Sequence, residues 1–518
     1  MDPIELSIFS SRIEAVCDEM GAVLRRAALS PNIKDRLDFS CAVFDRAGRL
    51  CAQAAHIPVH LGSMAYAMGA LVEGQAWSPG DMVVVNDPYL GGTHLPDVTV
   101  VAPVFVDATL VGFVANRAHH ADIGAATPGS MPISRTLQEE GQVIPPSFLM
   151  RRGALDRQRL RSITEATATP DHAEGDFAAQ ISANRTGARR LEELVSALGV
   201  TAYGAALDAL NDYGARLARA ALRQIPDGRY RYTDWMDDDG IGHRNIPIAV
   251  TVTARGGDMH VDFAGTAPQV PGNINCPLSV AAAGVYYVFR CLMPEHTPAC
   301  AGAFRSVTLE APEGCLLNAR RPAAVAAGNV ETSSRVVDVM LGALARALPG
   351  RIPAASQGTM NNLAMGARGD GGAWAYYETL GGGMGGGPDA DGLSAVQSHM
   401  TNTRNTPIEV LESGYPVRVR RYQVRRGSGG HGRHRGGDGL IRELEFLEPA
   451  TVTLLTERRT HAPWGLAGGA PGRAGENRLG ETPLAPKVTL EVRAGQRLSL
   501  CTPGGGGWGV PGTEPASD

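Results

Sequence analysis

Lysine is almost absent from this chain of 518 residues: Lys34 and Lys487 are the only two, and arginine supplies the remaining basic charge. A phosphate-binding P-loop needs a lysine directly after a glycine, because its ammonium group contacts the nucleotide phosphates. Neither lysine follows a glycine, so the sequence contains no P-loop. The formal net charge of −5 at pH 7 predicts no bulk electrostatic attraction to nucleic acid.

The sequence also lacks the signatures of disulfide frameworks, zinc ribbons and membrane proteins. None of its eight cysteines forms a Cys-x-x-Cys pair, which in a chain of this length is typical of reduced thiols. No run of about 18 apolar residues occurs, and the N-terminal segment lacks the basic and apolar regions of a signal peptide. There is no Gly-x-Ser-x-Gly motif, which disfavours a serine α/β-hydrolase. We therefore expect a cytoplasmic protein that binds neither membrane nor nucleic acid.

Hydrophobic periodicity predicts an α+β fold with a large content of mixed or antiparallel sheet. The chain divides into an α/β region at 1–165, a central helical region at 166–227, a β-rich mixed region with many glycines at 228–511, and a loose tail at 512–518. The individual elements expected are a helix at 3–29, a hairpin at 39–49, a helix at 62–73, a strand at 81–86, strands within 228–263, and helices at 278–293 and 333–347.

The most informative pattern is a predicted β-hairpin early in the chain. Two apolar, β-branched runs, 98–106 and 110–118, flank a short Asp-Ala-Thr turn. If Ala108 is the centre of that turn, Asp97 lies opposite His119. Directly opposed residues have Cβ atoms about 5 Å apart, which suits two side chains that bind one ion.

Further candidate ligands lie close to this hairpin in the sequence. His94 is in the loop just before the first strand and can fold over the same end. Imidazole and carboxylate groups bind Zn²⁺, Mn²⁺ or Fe²⁺, so His94, Asp97 and His119 form a candidate metal site. The alternative is an ordinary pair of surface histidines, since His-x-x-Asp alone is a weak signal. Asp38, just before a strand, is either an additional ligand or a strand-end cap.

Other polar residues are candidates for catalysis or for contact with the substrate or the ligands. His56 and His60 have the spacing of a zinc-binding helix, but a proline lies between them and no glutamate follows His56. We therefore expect these two residues, together with Asp87 at the end of a buried strand, to contact the substrate or the ligands. His120 and Glu140 are candidate catalytic residues, with Glu140 as a general base or acid.

Glycine-rich and arginine-rich segments leave alternatives open. Two Gly-x-Gly-x-x-Gly matches, at 427–432 and 504–509, have no following helix, so a dinucleotide site is disfavoured. The segment 380–388 either forms an amide nest for an anion or lets two backbones pack closely. The arginine-rich run 418–437 is either a solvated face or a contact for phosphate, an acidic partner or RNA. RNA is disfavoured because the chain is acidic overall.

Several long motifs in order resemble the hydantoinase B/oxoprolinase family, over roughly residues 4 to 511. They are DFSCAVFD, AHIPVHLGSM, NDPYLGGTHLPD, GNVETSSRVVDV, HMTNTRNTPIEVLE, SGGHGRHRGGDGLIRE and the terminal PGGGGWG. The resemblance implies a divalent metal, Zn²⁺ or Mn²⁺, held by His94, Asp97 and His119, with Asp38 as an additional ligand. It also implies a hydantoinase A-type partner with an actin-like ATPase fold, in a hetero-oligomer such as α2β2.

The resemblance implies a chemistry as well. The partner uses ATP to phosphorylate the carbonyl oxygen of a cyclic amide such as a hydantoin, a lactam or 5-oxoproline. Water activated by the metal then attacks the activated carbon, phosphate leaves and the ring opens. The alternative within the family is the alpha subunit of an ATP-dependent ketone carboxylase. A third interpretation, a scaffolding subunit with a degenerate site, is disfavoured because every expected ligand is present.

Overall fold

An antiparallel sheet in the first third of the chain contains the predicted hairpin. The computed structural model describes residues 1–54, 57–367 and 373–512. The strands of this sheet are β1 (Phe39–Asp45), β2 (Leu50–Gln53), β3 (Met82–Val85), β4 (Asp97–Val106), β5 (Thr109–His119), β6 (Ser147–Arg151) and β7 (Ala154–Leu155). Their order is β2-β1-β5-β4-β3-β6-β7. The long β4–β5 pair therefore lies inside the sheet, with a neighbouring strand on each side.

The register of the β4–β5 hairpin is as predicted, with Asp97 opposite His119. The strands are joined by Asp107 and Ala108, whose φ values are 46° and 63°. A two-residue type I′ turn requires positive φ at both central positions. A β-bulge after Val104 adjusts the register next to the turn and leaves the far end, where the candidate ligands lie, in the predicted pairing.

Helices cover both faces of this sheet. The helices of the described residues are α1 (Pro3–Ala27), α2 (Pro31–Lys34), α3 (Pro58–Glu73), α4 (Arg157–Thr164), α5 (Pro170–Leu198), α6 (Val200–Leu222), α7 (Leu278–Cys291), α8 (Ser333–Ala347) and α9 (Ile408–Gly414). α1 and α5 pack on the face that includes Val114 and Ala118, and α3 packs on the face that includes Phe113 and Ala115. Consecutive residues of β5 thus point to opposite faces of the sheet, and each face packs against different helices.

Three predicted helix boundaries were wrong, and one of them is the end of α7, which lies at Cys291 rather than at residue 293. α1 ends at Ala27 rather than at Leu29, because Ala28 already has an extended backbone. α3 begins at Pro58 rather than at residue 62. Proline is well suited to the first turn of a helix, where its missing N–H would have had no intrahelical partner. The earlier start places His60 in the first turn of α3.

The remaining described strands form three further sheets. Their strands are β8 (Gly228–Asp238), β9 (Arg244–Arg255), β10 (Asp258–Asp262), β11 (Val307–Glu310), β12 (Asn362–Ala367), β13 (Trp374–Glu378), β14 (Val417–Arg425), β15 (Gly439–Phe446), β16 (Ala450–Leu455), β17 (Glu476–Leu479), β18 (Thr482–Pro483), β19 (Lys487–Val492) and β20 (Arg497–Cys501). The sheet orders are β11-β10-β9-β8, β13-β12-β16-β19 and β14-β15-β20-β17-β18. Together with the helices, these sheets confirm the α+β class.

The glycine-rich segments pack backbone against backbone. The amide of Gly386 donates to the carbonyl of Gly506 at 2.8 Å, and the amide of Gly430 donates to Gly505 at 2.8 Å. A Cβ atom added to Gly505 would lie 2.1 Å from the carbonyl oxygen of Met384. Only glycine permits such an approach, so close backbone packing accounts for this part of the sequence.

No single helix in the described part of the chain has both the length and the hydropathy of a membrane span. α5 and α6 satisfy that test only as a pair, and they are bent by 104° at the break between them. The division of the chain at residues 165 and 227 stays a prediction, and residues 513–518 of the predicted tail lie outside the described residues.

Candidate metal centre

Three buried side chains converge at the end of the β4–β5 hairpin. Asp97 begins β4, His119 ends β5 and His94 lies in the loop before β4. Asp97 Oδ1 lies 3.2 Å from His119 Nδ1 and 3.3 Å from His94 Nε2. One ligand atom of each residue lies within 4.8 Å of the other two. The structure therefore brings together the pair that the hairpin register predicted, Asp97 and His119, and His94 from the loop before it.

Unsatisfied polar atoms in this cluster show that it fits a metal ion. His119 Nε2 is buried and has no hydrogen-bond partner among the described residues, and Asp97 Oδ1 faces imidazole nitrogens at 3.2 and 3.3 Å without a well-directed hydrogen bond. A buried polar atom without a partner costs stability, and native structures seldom leave one unpaired. Two imidazoles and one carboxylate are a donor set that suits Zn²⁺ or Mn²⁺. A divalent cation bound by this donor set would satisfy Asp97 Oδ1.

The charges of the cluster are strongly coupled. Burial opposes ionisation of Asp97, but the imidazoles of His60 and His94 outweigh burial and hold the pKa of this carboxyl well below its usual range. Burial lowers the pKa of His119, and Asp97 offsets only part of that effect. For His94, in contrast, the neighbouring carboxylate outweighs burial and raises the pKa. An ionised carboxylate and neutral imidazoles are the forms that bind metal.

Side chains of the preceding loop fix the position of His94 and Asp97. The hydroxyl of Thr93 donates to Asp97 Oδ2. Asn86 donates from Nδ2 to the carbonyls of Leu95 at 2.8 Å and Gln142 at 2.9 Å. Its Oδ1 accepts the amide of Ile144 at 2.6 Å. Asn86 is fully buried, so the loop is held by a satisfied amide and has little freedom to move.

His60 and Asp38 lie at the edge of the cluster. His60 Nε2 is 3.2 Å from Asp97 Oδ2 and 3.9 Å from Asp38 Oδ1. The backbone carbonyl of Asp38 accepts the amide of His119 at 3.0 Å, and its carboxylate is 3.9 Å from the Arg36 guanidinium. His60 thus contacts Asp97, one of the three candidate ligands. Asp38 is adjacent to the cluster but is not among the three residues that share ligand spacing.

Two other predicted site residues, His120 and Asp87, are not brought to the cluster. His120 follows His119 in the chain and its Nε2 lies 3.0 Å from Gln180 on α5, because alternate residues of a strand face opposite sides of the sheet. The carboxylate of Asp87 accepts from Arg321 and from the amide of Tyr89. His56 lies outside the described residues.

Glu140 lies one layer behind His94. It is buried and accepts the amides of Val325 at 2.8 Å and Ala326 at 2.9 Å. The carbonyl oxygen of Ala326 lies 3.1 Å from His94 Nδ1. Burial raises the pKa of Glu140 to about 7. Glu140 is therefore placed to act on His94 through residues 325 and 326 rather than by direct contact.

Two residues distant in the sequence complete the surroundings and were missed by sequence reasoning. Asn329 Nδ2 lies 3.1 Å from His94 Nε2 and 3.3 Å from Asp97 Oδ2. The ring of Tyr377 stacks on His119, with centroids 4.8 Å apart and planes 9° from parallel. Asn329 lies in a π-helical turn, Gly328–Thr332, that precedes α8. Such turns are frequent at functional sites, and the GNVETSSR motif was the one signal in the sequence.

The sequence matches known proteins along nearly its whole length. Residues 2–511 match the family model described as hydantoinase B/oxoprolinase. The chain is 40% identical to 5-oxoprolinase 1 of Arabidopsis thaliana, an alignment that covers 98% of this chain and 42% of that protein. It is 32% identical to the B-type subunit of a putative D-/L-hydantoinase from a Pseudomonas species, over 99% of this chain and 90% of that protein. The chain thus spans about two fifths of the 5-oxoprolinase and most of the hydantoinase component.

Solved structures agree with these matches. The ATP-dependent caprolactamase of Pseudomonas jessenii superposes with a TM-score of 0.92 at 29% identity, over 98% of this chain and 91% of that chain. A nucleotide-free acetone carboxylase superposes with a TM-score of 0.89 at 19% identity, over 98% and 76%. The second likeness shows the fold alone and gives the carboxylase alternative no support. From the family match and these relatives, the chain belongs to the hydantoinase B/oxoprolinase family.

Proposed function

We propose that this chain is the metal-bearing subunit of an ATP-dependent enzyme that opens cyclic amides. The observation that carries the proposal is the buried cluster of His94, Asp97 and His119 with its two unsatisfied atoms. The cluster lies in a chain that covers 90% of the B-type component of a putative hydantoinase. The sequence has no P-loop, and the ATP chemistry is assigned to a partner A-type ATPase subunit in a hetero-oligomer.

The residues of this chain would prepare the site for an activated amide. A divalent cation, Zn²⁺ or Mn²⁺, would polarise an oxygen of the substrate and acidify water. His94, Asp97 and His119 would hold it. The Ala326 carbonyl, 3.1 Å from His94 Nδ1, favours the Nδ1–H tautomer, in which the lone pair of Nε2 faces Asn329 and Asp97. A cyclic amide is a poor electrophile, because its nitrogen lone pair delocalises into the carbonyl. Phosphorylation of the carbonyl oxygen by the partner would remove that obstacle.

Burial supports a closed reaction space. The three cluster residues are at most 2% exposed, and Tyr377, which covers the His119 ring, is 1% exposed. Exclusion of bulk water strengthens electrostatic interactions inside a site and protects a reactive phosphorylated intermediate from uncontrolled hydrolysis. His60, 3.2 Å from Asp97, is the side chain best placed to move a proton at the edge of the cluster.

The test is a reconstitution with the partner subunit. We would co-express both chains, measure bound metal by elemental analysis, and assay ADP release coupled to ring opening of hydantoins, 5-oxoproline and caprolactam. His94→Ala should abolish both metal binding and ring opening. The matched control is His260→Ala, since His260 lies on β10 and pairs with Glu310 on the surface. Ring opening by this chain alone, undiminished by a chelator, would refute the proposal.

A further inference from the structure

One buried guanidinium contacts the segments that deliver side chains to the candidate metal centre. Arg117 lies on β5 and is 1% exposed. Its Nε donates to Thr99 Oγ1 at 2.8 Å, one terminal nitrogen donates to Ser63 Oγ at 2.7 Å, and the other donates to the Gly91 carbonyl at 2.7 Å. These three acceptors lie on β4, on α3 and in the loop before β4. Together with β5 itself, they are four separate parts of the fold.

Each acceptor is close in the chain to a residue of the centre. Thr99 is two residues after Asp97 on the same face of β4, and Arg117 is two residues before His119 on the same face of β5. Gly91 lies three residues before His94, in the loop that carries it. The guanidinium therefore forms the layer directly beneath the three cluster residues.

The third acceptor links α3 to this layer. Ser63 Oγ accepts from Arg117, and its single hydrogen is shared between the carbonyls of Val59 at 2.7 Å and His60 at 3.0 Å. Those carbonyls belong to the first turn of α3, where His60 lies. The hydroxyl therefore fixes the helix turn that aims His60 at Asp97.

Arg117 is held by neutral groups, unlike other buried arginines of this chain. No carboxylate of the described residues lies within 4.0 Å of it, whereas Arg442 has one and Arg335 and Arg458 have two each. Burial lowers the pKa of Arg117 to about 10, with Asp97 as the charge that opposes this effect. The group therefore remains a cation at neutral pH. A planar fork with several donors can reach three acceptors at once, and a lysine ammonium cannot reproduce that geometry.

We propose that Arg117 is a positioning residue that sets the geometry of the metal centre by joining the four segments that carry His60, His94, Asp97 and His119. The inference rests on the metal-binding part of the proposed function and not on the substrate or the partner. Groups that orient metal ligands without touching the metal typically contribute 10- to 100-fold to metal affinity. Loss of the guanidinium should therefore weaken metal binding by about that factor.

The test uses the full chain, stripped of metal and titrated with Co²⁺, whose visible absorption reports coordination geometry. Arg117→Met should weaken Co²⁺ binding by about 10- to 100-fold and alter the spectrum, and Arg117→Lys should fall between this variant and the unaltered chain. The control is Arg458→Lys, which changes another buried arginine that pairs with Asp234 and Asp338. It should lower thermal stability and leave affinity and spectrum unchanged.

Variants that each remove one hydrogen bond of Arg117 test the proposal even if Arg117→Met does not fold. Thr99→Val and Ser63→Ala each remove one acceptor, and each should weaken Co²⁺ binding by a smaller factor than loss of the guanidinium. Unchanged affinity and an unchanged spectrum in all of these variants would overturn the positioning role. If Co²⁺ binding responds as expected but the reconstituted enzyme opens no ring, the proposed function fails and this inference stands. An unaltered chain that binds no Co²⁺ overturns both.

Discussion

The chain buries charge in two regions and neutralises it in two different ways. Around β8, α8 and β16, carboxylates face arginine or lysine: Asp234 lies 2.8 Å from Arg458, and Glu457 lies 2.5 Å from Lys487. At the candidate metal centre, the ionisable side chains around Asp97 are the imidazoles of His60, His94 and His119, and no arginine or lysine of the described residues lies within 4.0 Å of it.

The difference distinguishes a network of fixed ion pairs from the candidate metal site. A buried carboxylate paired with a fixed cation is already neutralised, and removing either partner leaves an uncompensated charge. A carboxylate that faces imidazoles depends on protons or on a metal ion for its neutralisation. Equal burial therefore does not imply equal function, and the identity of the counter-charge decides which region responds to ligands.

The largest effect is expected from removing the carboxylate of the centre. Asp97→Asn should reduce metal binding by more than about 100-fold, since loss of a ligand should exceed the 10- to 100-fold cost of losing a group behind it. Equilibrium dialysis and elemental analysis would measure this. Near-stoichiometric metal in purified Asp97→Asn protein would contradict the assignment of the centre.

The matching change in the ion-pair network should affect stability instead. Asp338 contacts Arg458, and Asp338→Asn should lower the free energy of unfolding by about 3 kcal/mol, because a buried guanidinium loses one of its two carboxylates. Metal affinity should not change. Urea denaturation monitored by circular dichroism tests the first part, and a loss of metal affinity would mean that the two regions are not independent.

A pH effect should follow from Glu140. Burial raises its pKa in the folded chain from 4.5 to about 7. The folded state therefore binds more protons than the unfolded state between these values, and stability falls as the pH rises through this window. Glu140→Gln should remove about 3 kcal/mol of that pH dependence. Urea denaturation of metal-free protein at pH 4.5 and pH 7.5 would measure it.

A second buried glutamate provides the comparison for this pH effect. Burial also raises the pKa of Glu331 to about 7, and its carboxylate accepts from Asn362 and from the amide of Met360. Glu331→Gln should therefore also remove part of the fall in the free energy of unfolding with rising pH. Equal slopes in the Glu140→Gln variant and the unaltered chain would show that Glu140 ionises normally in the fold.

Much of this centre could be predicted because it is built from neighbours in the chain. Strand alternation and a short turn fixed the β4–β5 register, and this register alone placed Asp97 opposite His119. His94 is only three residues before Asp97, so the chain has little choice about where it lies. The same alternation excludes His120 from the cluster. Two adjacent histidines suggested a shared site, but neighbouring residues of a strand point to opposite faces of the sheet.

The rest required contacts between distant segments. Asn329 reaches His94 from 235 positions away along the chain, and no local periodicity encodes such a contact. Glu140 has the burial expected of a catalytic acid, but its position behind Ala326 depends on how residues 325–326 pack. Arg117 lies in a strand whose pattern predicted only its face, and its three acceptors belong to other elements.

The smallest effect on metal affinity is expected from Asn329. This side chain is uncharged, and it contacts the candidate centre only through its amide. Asn329→Ala removes the group 3.1 Å from His94 Nε2 and should weaken metal binding by about 10-fold, at the lower end for groups that orient ligands. Asn361→Ala is the control, because Asn361 accepts from Arg459 beside the ion-pair network. Both variants lose one buried amide, and Asn361→Ala should lose more stability because residue 361 has a φ of 49°. Metal affinity can be measured by competition with a metal indicator. If both variants have the same affinity, the amide of Asn329 does not orient His94, in spite of the contact between them.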